Sequence, residues 1–272
     1  MTINCKGNLI DLTTPKVMGI LNVTPDSFYD GGRFNNEASI LNQVEYMLTE
    51  GATFIDVGAY SSRPGADHVS EAEELSRIIP IVEVLIKQFP EIILSIDTFR
   101  SEVAKHCIEA GAAMINDISA GHLDEKMMET VGNLQVPYVM MHMKGTPKTM
   151  QQHTDYNDLL KDIIYYFSER IAEARRHKII DVIIDPGFGF AKTIKQNYEL
   201  LSHLDLLKMI EKPMLVGVSR KSMIYKLLDS TPEHALNGTS SLNTVALLKG
   251  AKILRVHDVK EAMECITLIN QL

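Results

Sequence analysis

Gly51-Ala52-Thr53-Phe54-Ile55-Asp56-Val57-Gly58 is a turn glycine followed by a short apolar run with a carboxylate inside it. Its opening dipeptide recurs as Gly111-Ala112 and Gly250-Ala251, each time after a helically spaced stretch and before another apolar run. A glycine just past the last helical turn takes the left-handed conformation that ends a helix without a Cβ clash. Working outward from these joints gives eight runs in all, at residues 17–23, 54–58, 93–98, 114–118, 138–142, 182–187, 214–219 and 252–257. Each is almost continuously apolar, which suits strands buried on both faces of a parallel sheet. Between them, residues 71–89 place Leu75, Ile78, Ile79, Val82, Leu85 and Ile86 at helical i, i+3, i+4 spacing. Ser70 with Glu73 reads as a capping box at that helix start, and Thr231-Pro232 as a second start.

Eight strand–helix alternations without a break predict an α/β fold, a single (β/α)8 TIM barrel occupying residues 1–272 as one domain. The segment 4–12, with Lys6-Gly7-Asn8 as its turn, reads as a β-hairpin closing the bottom of the barrel. An open doubly wound sheet is the alternative, less suited to eight evenly weighted units. The formal net charge of −8 argues against a general nucleic-acid binder, which would carry a basic field, but leaves room for a local anion site. Cys5, Cys107 and Cys265 are scattered without metal-ligand spacing, as in a reducing compartment. No signal-like start or long apolar run is present, so a cytoplasmic protein that avoids membranes is expected.

The informative residues are polar ones inside the apolar runs: Asn22, Asp56, Asp97, Asn116, Asp117, Asp185, Arg255 and His257. Burying such groups is costly unless they find partners. All stand near the C-terminal ends of their strands, where barrel active sites form. Any one alone could be a satisfied structural group; the same pattern on seven of eight strands is hard to explain that way. On the fifth strand either Met141 or His142 could face inward, and His142, flanked by methionines, is read as structural. Arg255 and His257 share a face, as do Asp185 with Gly187 and Gly217 with Ser219. Mid-strand glycines such as Gly217 leave space for a ligand.

Two chemistries are on display. Arg63, Lys221, Arg255 and His257, with Arg220, are cationic or donor groups, and Lys221-Ser222 opens a helix after strand seven, a place where barrels bind phosphate. Asp97, Asn116 and Asp185 can read a heterocycle carrying adjacent N–H donors, with Met141 and Phe190 as flat apolar contacts. Two polar, turn-rich loops, 22–32 and 61–65, leave strand ends as natural lids. The ligand so described is anionic and nitrogen-rich.

At this point the chain resembles the dihydropteroate synthase family of folate biosynthesis over essentially its whole length. The stretches that carry it are Met18-Gly-Ile-Leu-Asn-Val-Thr-Pro-Asp-Ser-Phe28, Ser62-Arg-Pro-Gly65, Ile115-Asn-Asp-Ile118, Met141-His-Met143, Asp185-Pro-Gly-Phe-Gly-Phe190, Gly217-Val-Ser-Arg-Lys-Ser222 and Arg255-Val-His-Asp258. The resemblance implies a transferase that joins 6-hydroxymethyl-7,8-dihydropterin diphosphate to 4-aminobenzoate, assisted by Mg2+, in a homodimer formed through late helices. It implies that Asp97, Asn116, Asp185 and Lys221 hold the pterin, bordered by Met141, Phe190, Gly217 and Arg255. Asn22, Arg255 and His257 would hold the diphosphate, with Asn22 at the metal. Phe28, Ser62, Arg63, Pro64, Lys221 and Ser222 would shape the aminobenzoate pocket, and Asp30 would arrive with the first loop. Asp97, Lys221, Arg255 and Asp30 are thereby the expected catalytic set. The chain departs from the family's Gly-Glu-Ser-Thr-Arg-Pro-Gly at Ala59-Tyr60-Ser61-Ser62-Arg63-Pro64-Gly65. Ser62 keeps the hydroxyl, no role passes to Tyr60, and the change bears on loop closure and sulfonamide sensitivity.

Rival readings are a pterin-binding methyltransferase, a metal-dependent hydrolase and a non-catalytic paralogue. The first would not need the diphosphate groups. The second would want a His-x-His pair, which the nine histidines do not form. The third would have lost a key position.

Overall fold

A computed structural model describes residues 1–23, 33–60 and 69–272, and in it the eight apolar runs become eight parallel strands. After a hairpin of β1 (Thr2–Cys5) and β2 (Asn8–Asp11) come β3 (Lys16–Asn22), β4 (Phe54–Gly58), β5 (Leu94–Asp97) and β6 (Met114–Asp117). Then follow β7 (Tyr138–Met141), β8 (Val182–Asp185), β9 (Leu215–Val216) and β10 (Ile253–Val256). The helices between them are α1 (Arg33–Thr49), α2 (Glu71–Gln88), α3 (Ser101–Glu109), α4 (Met127–Leu134) and α5 (Leu159–Arg176). α6 (Ile194–Ser202), the short α7 (Ser222–Tyr225), α8 (Leu236–Leu248) and α9 (Val259–Ile269) complete the set. The strand order is β8-β7-β6-β5-β4-β3-β10-β9. The ring closes where Ile184 N donates to Pro213 O at 3.0 Å and pairs with Met214. The barrel expected from the alternation is therefore present, and the open sheet is not.

Strand parity stacks the interior in layers. The lowest layer is apolar: Met18, Phe54, Met114, Val139, Ile183, Leu215 and Ile253. Ile3, Cys5 and Leu12 of the hairpin segment pack against it from below, so the hairpin is the barrel's plug. The hairpin turns at Lys6 (φ 53°) and Gly7 (φ 86°), while Asn8 already belongs to β2. Two residues further along, the same parity brings Ile20, Asp56, Ser95, Asn116, Met141, Asp185, Gly217 and Arg255 inward. One more step gives Asn22, Gly58, Asp97, Gly187, Ser219 and His257 at the mouth.

Gly51, Gly111 and Gly250 have φ of 101°, 114° and 102°, the left-handed helix ends that their repeated position demands. Five residues after each glycine stand Asp56, Asn116 and Arg255. Each of the three repeats thus delivers a polar side chain to the same interior layer.

Outside the barrel, each helix buries one stripe. On α2, Ile78, Ile81, Val82 and Leu85 are buried, each contributing about 1.5–3 kcal/mol of burial free energy. Two helix-start readings are modified. Ser70 Oγ does accept from Glu73 N at 3.2 Å, but the Glu73 carboxylate pairs with Arg77 instead of returning to Ser70, so half of the box forms. The reciprocal box occurs at Thr193 and Gln196 of α6. Thr231-Pro232 opens a three-residue 3-10 turn, Pro232–His234, and α8 itself begins at Leu236. β9 is also shorter than its apolar run, because Gly217–Ser219 leave the ladder to enter the turn closed by Lys221 N on Val218 O. Among the described residues no helix is long and apolar enough to cross a membrane.

Candidate active site

The middle interior layer is a set of cross-barrel pairs. Arg255 enters from β10 and donates from Nε to Asp56 Oδ2 on β4 at 2.6 Å, and from Nη2 to Asp97 Oδ2 on β5 at 2.8 Å. Asn116 on β6 donates to the same Asp56 Oδ2 at 2.9 Å. Asp56 is fully buried and thus ties three strands together beneath the mouth. Its Oδ1 finds no hydrogen-bond partner among the described residues. Gly58 passes close over Asp97: a Cβ there would stand 3.3 Å from Asp97 Cβ, so the glycine gives that carboxylate its room.

The electrostatics follow from burial. Burial pushes the Asp97 carboxyl up to about 7, against the pull of Arg255 and with Asp56 adding to the rise. Arg255 is raised as well, which keeps it charged: Asp56 and Asp97 hold it above the usual guanidinium range despite its burial. Asp185 on β8 is also raised, by burial, with Lys221 opposing. Its Oδ1 accepts from Gly187 N at 2.7 Å. Lys221 is lowered to about 8 by burial, with Asp185 opposing. Its Nζ donates to Phe188 O and lies 4.9 Å from the Phe190 ring centroid.

Phe190 and Met141 join Ile118, Met143, Met150 and Ala191 in a separate apolar cluster, with Phe99 and Leu123 packed against it. The two residues suggested as apolar contacts thus share one cluster. Gly217, after β9, leaves room beside Arg255: an added Cβ would stand 3.8 Å from Arg255 Cβ and O. His257 Nδ1 stands 3.1 Å from Ser219 Oγ, which also accepts from His257 N at 3.2 Å. Asn22 ends β3, exposed, opposite Gly58 in register. Ser222 is the first residue of α7, after Lys221.

One sequence reading is corrected. Arg220 does not join the cationic display. It adopts φ 54° and pairs with Asp258, Nε to Oδ2 at 3.0 Å and Nη2 to Oδ1 at 2.5 Å. Asp117, one of the polar strand residues, faces away from the barrel. It receives Ser119 N, Ser119 Oγ, Gly121 N and Tyr138 OH, and is a structural group. Phe28, Asp30, Ser62, Arg63 and Pro64 lie outside the described residues. Tyr60, the last residue described before the second loop, stacks edge-on against Phe99 at 5.1 Å, with the Arg100 guanidinium 5.3 Å from its ring. Arg100 in turn pairs with the buried Glu74 and donates to Val69 O at 2.6 Å.

Sequence reasoning missed Lys192 and underrated His142. His142 is buried and faces α5, its ring 4.8 Å from that of Tyr166, as the structural reading had it. Its Nδ1, however, is 3.0 Å from Lys192 Nζ. Lys192 is 3% exposed. The available signal was a lysine placed directly after the apolar, glycine-rich Phe188–Ala191 stretch.

The chain that carries this strand-end layer is similar over its length to known proteins. Residues 18–257 match the family described as pterin binding enzyme. A dihydropteroate synthase of Escherichia coli strain K12 is 43% identical over 272 residues, 99% of this chain and 95% of that protein. The structure of the Yersinia pestis dihydropteroate synthase with a sulfonamide drug complex is 43% identical, with a TM-score of 0.93 over 100% of this chain and 98% of that one. The Xanthomonas albilineans dihydropteroate synthase with 4-aminobenzoic acid is 38% identical, with a TM-score of 0.91 over 99% and 97%. With near-complete coverage of both partners in each case, the chain belongs to the dihydropteroate synthase family of pterin-binding enzymes.

Proposed function

We propose that this site joins 6-hydroxymethyl-7,8-dihydropterin diphosphate to 4-aminobenzoate, giving 7,8-dihydropteroate and diphosphate. The observation that carries the reading is that one barrel mouth brings two kinds of group together. Asp97, Asn116 and Asp185, with Lys221, are suited to a ring with N–H donors and acceptors; Arg255 and His257 are donors that a phosphate can meet. The bound compounds in the relatives' structures are of the matching kind. Release of diphosphate that requires both substrates tests the reading; release with either one alone, or none, sinks it.

In this reading Asp97, Asn116, Asp185 and Lys221 hold the pterin edge, between the Phe190–Met141 wall and the Arg255–Gly217 side. The methylene C–O bond breaks first, because the electron-rich dihydropterin delocalises the positive charge that forms. Asp97 stabilises that charge electrostatically. Arg255 and His257 face the leaving diphosphate. The amine nitrogen then forms the C–N bond and loses its proton, which the positive charge on nitrogen has made acidic, so no strong base is needed. Phe28, Ser62, Arg63, Pro64 and Ser222 would shape the aminobenzoate pocket, and Asp30 would close over it, as the family resemblance implies. Exclusion of water by these loops protects the cation from hydrolysis.

Magnesium fits this chain as a shared ligand of protein and substrate. Among the described residues no three His, Cys, Asp or Glu cluster to cage an ion. Mg2+ characteristically takes one or two protein oxygens and completes its shell with phosphates and water. Asn22, exposed at the end of β3, offers such an oxygen. When bound, the ion would neutralise charge on the diphosphate.

The domain reading, one unit across residues 1–272, belongs to the same proposal, as do a cytoplasmic setting and a homodimer. All three cysteines are free and buried, which agrees with a reducing compartment. Leu248 of α8 and Leu268 of α9 are 57% and 70% exposed, an apolar surface on late helices that a second copy would cover. Sedimentation at micromolar concentration checks the dimer, and a monomer there removes it.

A further inference from the structure

Between β8 and α6 the chain turns sharply under the wall of the site. Gly187 (φ 69°), Gly189 (φ 82°) and Ala191 (φ 49°) are all left-handed. For Ala191 that conformation is strained. Gly187 is required twice over, since a Cβ there would stand 2.2 Å from His142 O. The turn presents the Phe190 ring at one end and follows directly from Asp185 at the other. Something must hold it in this shape, and the backbone supplies little: Phe190 N on Gly187 O at 3.1 Å is its one internal ladder bond.

Asn197 Oδ1 accepts from Gly189 N at 2.7 Å and Asp185 Oδ1 from Gly187 N at 2.7 Å; the turn's carbonyls are gathered by Lys192, which burial lowers to about 7 against the pull of Asp185 and whose contacts suit its protonated, ammonium form. Lys192 Nζ donates to Gly187 O at 3.0 Å and Phe190 O at 3.1 Å, and meets His142 Nδ1 at 3.0 Å. An ammonium has three N–H donors and no acceptor, so three acceptors satisfy it completely. His142 Nδ1 must then carry the lone pair, with the ring proton on Nε2. The surroundings agree. Burial and the charges of Lys192 and Lys144 lower the His142 imidazole well below its ordinary value, which keeps it neutral. Tyr166, Tyr156 and Phe167 enclose its ring. Tyr156 OH also anchors the turn from outside, on Ala191 O at 2.9 Å.

We propose that Lys192, seated on His142, is a positioning residue for heterocycle binding: it draws the Gly187 and Phe190 carbonyls under the turn and so aims the Phe190 ring and Asp185 at the ligand. The lysine touches neither substrate. The proposal rests on the pterin reading of the barrel mouth. It accounts for a buried charge that the reaction itself does not use and that a structural role alone would fill more cheaply with an apolar side chain. Lys221 also holds this turn, through Phe188 O, so the two lysines between them bind three of its carbonyls.

Calorimetry with pterin-6-carboxylate and steady-state kinetics on Lys192→Met, His142→Leu and His142→Asn test it. Lys192→Met removes two charge-assisted bonds to the turn, and is expected to raise the pterin Kd and the KM for dihydropterin diphosphate by at least about tenfold. The KM for 4-aminobenzoate and kcat should stay within about threefold, since the loss falls on ground state and transition state alike. His142→Leu removes the ammonium's third acceptor and should raise the pterin KM less; His142→Asn supplies an amide oxygen in its place and should restore it. Unchanged pterin binding in Lys192→Met overturns the proposal. So does a fall in kcat with both KM values unmoved, which marks a structural role. Should Lys192→Met not fold, equal pterin KM values for His142→Leu and His142→Asn overturn it. If the unsubstituted protein binds no pterin, the functional reading itself fails, an outcome plainly distinct from variants that bind as well as their parent.

Discussion

Replacing Asp56 by Asn removes one negative charge from the centre of the barrel with almost no change of shape. Asp56 Oδ2 accepts from Arg255 Nε at 2.6 Å and from Asn116 Nδ2 at 2.9 Å, and the side chain is fully buried. With the amide oxygen at the Oδ2 position both bonds survive, but the new NH2 takes the place of Oδ1, which has no partner among the described residues. A buried donor without an acceptor costs about 1–3 kcal/mol. With the amide flipped, the NH2 confronts Arg255 and Asn116, both donors, which is worse. Loss of one member of a buried ion pair costs about 3–5 kcal/mol. Arg255 keeps Asp97 at 2.8 Å and is 20% exposed, which places the loss at the low end. We expect Asp56→Asn to lose about 3 kcal/mol in urea unfolding, with a midpoint roughly 6 °C lower on heating at the low end of the usual scaling. Calorimetry should also show weaker pterin binding, because Asn116 and Arg255 lose the group that orients them. Ser95, in register with Asp56 on the next strand, supplies the control. Its Oγ is buried without a partner, so Ser95→Ala should be neutral or slightly stabilising. An Asp56→Asn protein within about 1 kcal/mol of its parent, binding pterin equally well, refutes the claim that this carboxylate organises the layer.

Asp97→Asn should fold and still lose turnover steeply, by about a hundredfold or more in kcat if the carboxylate stabilises the developing cation; near-normal kcat removes Asp97 from the chemistry. Asp185→Asn should chiefly abolish pterin binding in calorimetry, leaving any 4-aminobenzoate binding that occurs unaffected. Binding of 4-aminobenzoate should require pterin diphosphate or diphosphate first, and tight binding to the free protein would show that the loops do not close in that order. Stability of the ligand-free protein should rise between about pH 8 and 9. Lys192 and Lys221 are lowered to about 7 and about 8 in the native state, against an ordinary 10.5. Across that window the unfolded chain holds protons the native chain lacks, so raising the pH favours folding, by up to about 1.4 kcal/mol per pH unit for each lysine. Higher up the sign reverses, because burial pushes the Cys5 and Cys107 thiols up to about 12 while unfolded thiols ionise near their ordinary value. Lys192→Met should flatten the rise, and a curve of unchanged slope would show that its ammonium is not held in a desolvated site.

The barrel was legible because its evidence is local and repeated. A glycine that ends a helix, an apolar run and a polar residue near its end can each be recognised within a few positions, and they recur at 51, 111 and 250. Parity then put Arg255 with His257, Asp185 with Gly187 and Gly217 with Ser219 on shared faces, because a strand alternates faces wherever it lies; it left Met141 against His142 open and did not set Asp117 apart from Asn116. The pairings were not legible. Arg255 meets Asp56 and Asp97 across 199 and 158 residues of chain, and which carboxylate it reaches depends on the stagger of strands around a closed ring. Arg220 and Lys221 look alike on paper. Only the left-handed turn at Arg220 sends one guanidinium out to Asp258 while the neighbouring ammonium points inward. Lys192 escaped for a related reason: a lysine at a helix start is ordinarily solvated, and what buries this one is a tertiary contact with the end of β7.

The charges of the described barrel also bear on how the two substrates divide the site. Asp56, Asp97 and Asp185 stand against Arg255, Lys221 and Lys192, three acids and three bases. Arg255 already faces two carboxylates, and Lys221 and Lys192 are drawn to peptide carbonyls and to Asp185. Such a set is nearly neutral before any ligand arrives, which suits an uncharged heterocycle read by hydrogen bonds. A diphosphate, with its several negative charges, would find only part of the positive charge it needs in Arg255 and Lys221. The proposed magnesium ion at Asn22, and Arg63 from the second loop, are the additions that would make up the difference. In the proposed reading the diphosphate part of the site would be assembled at binding, whereas the pterin part is built into the strands. Ordered binding and a metal held mainly by substrate are what that proposed asymmetry predicts.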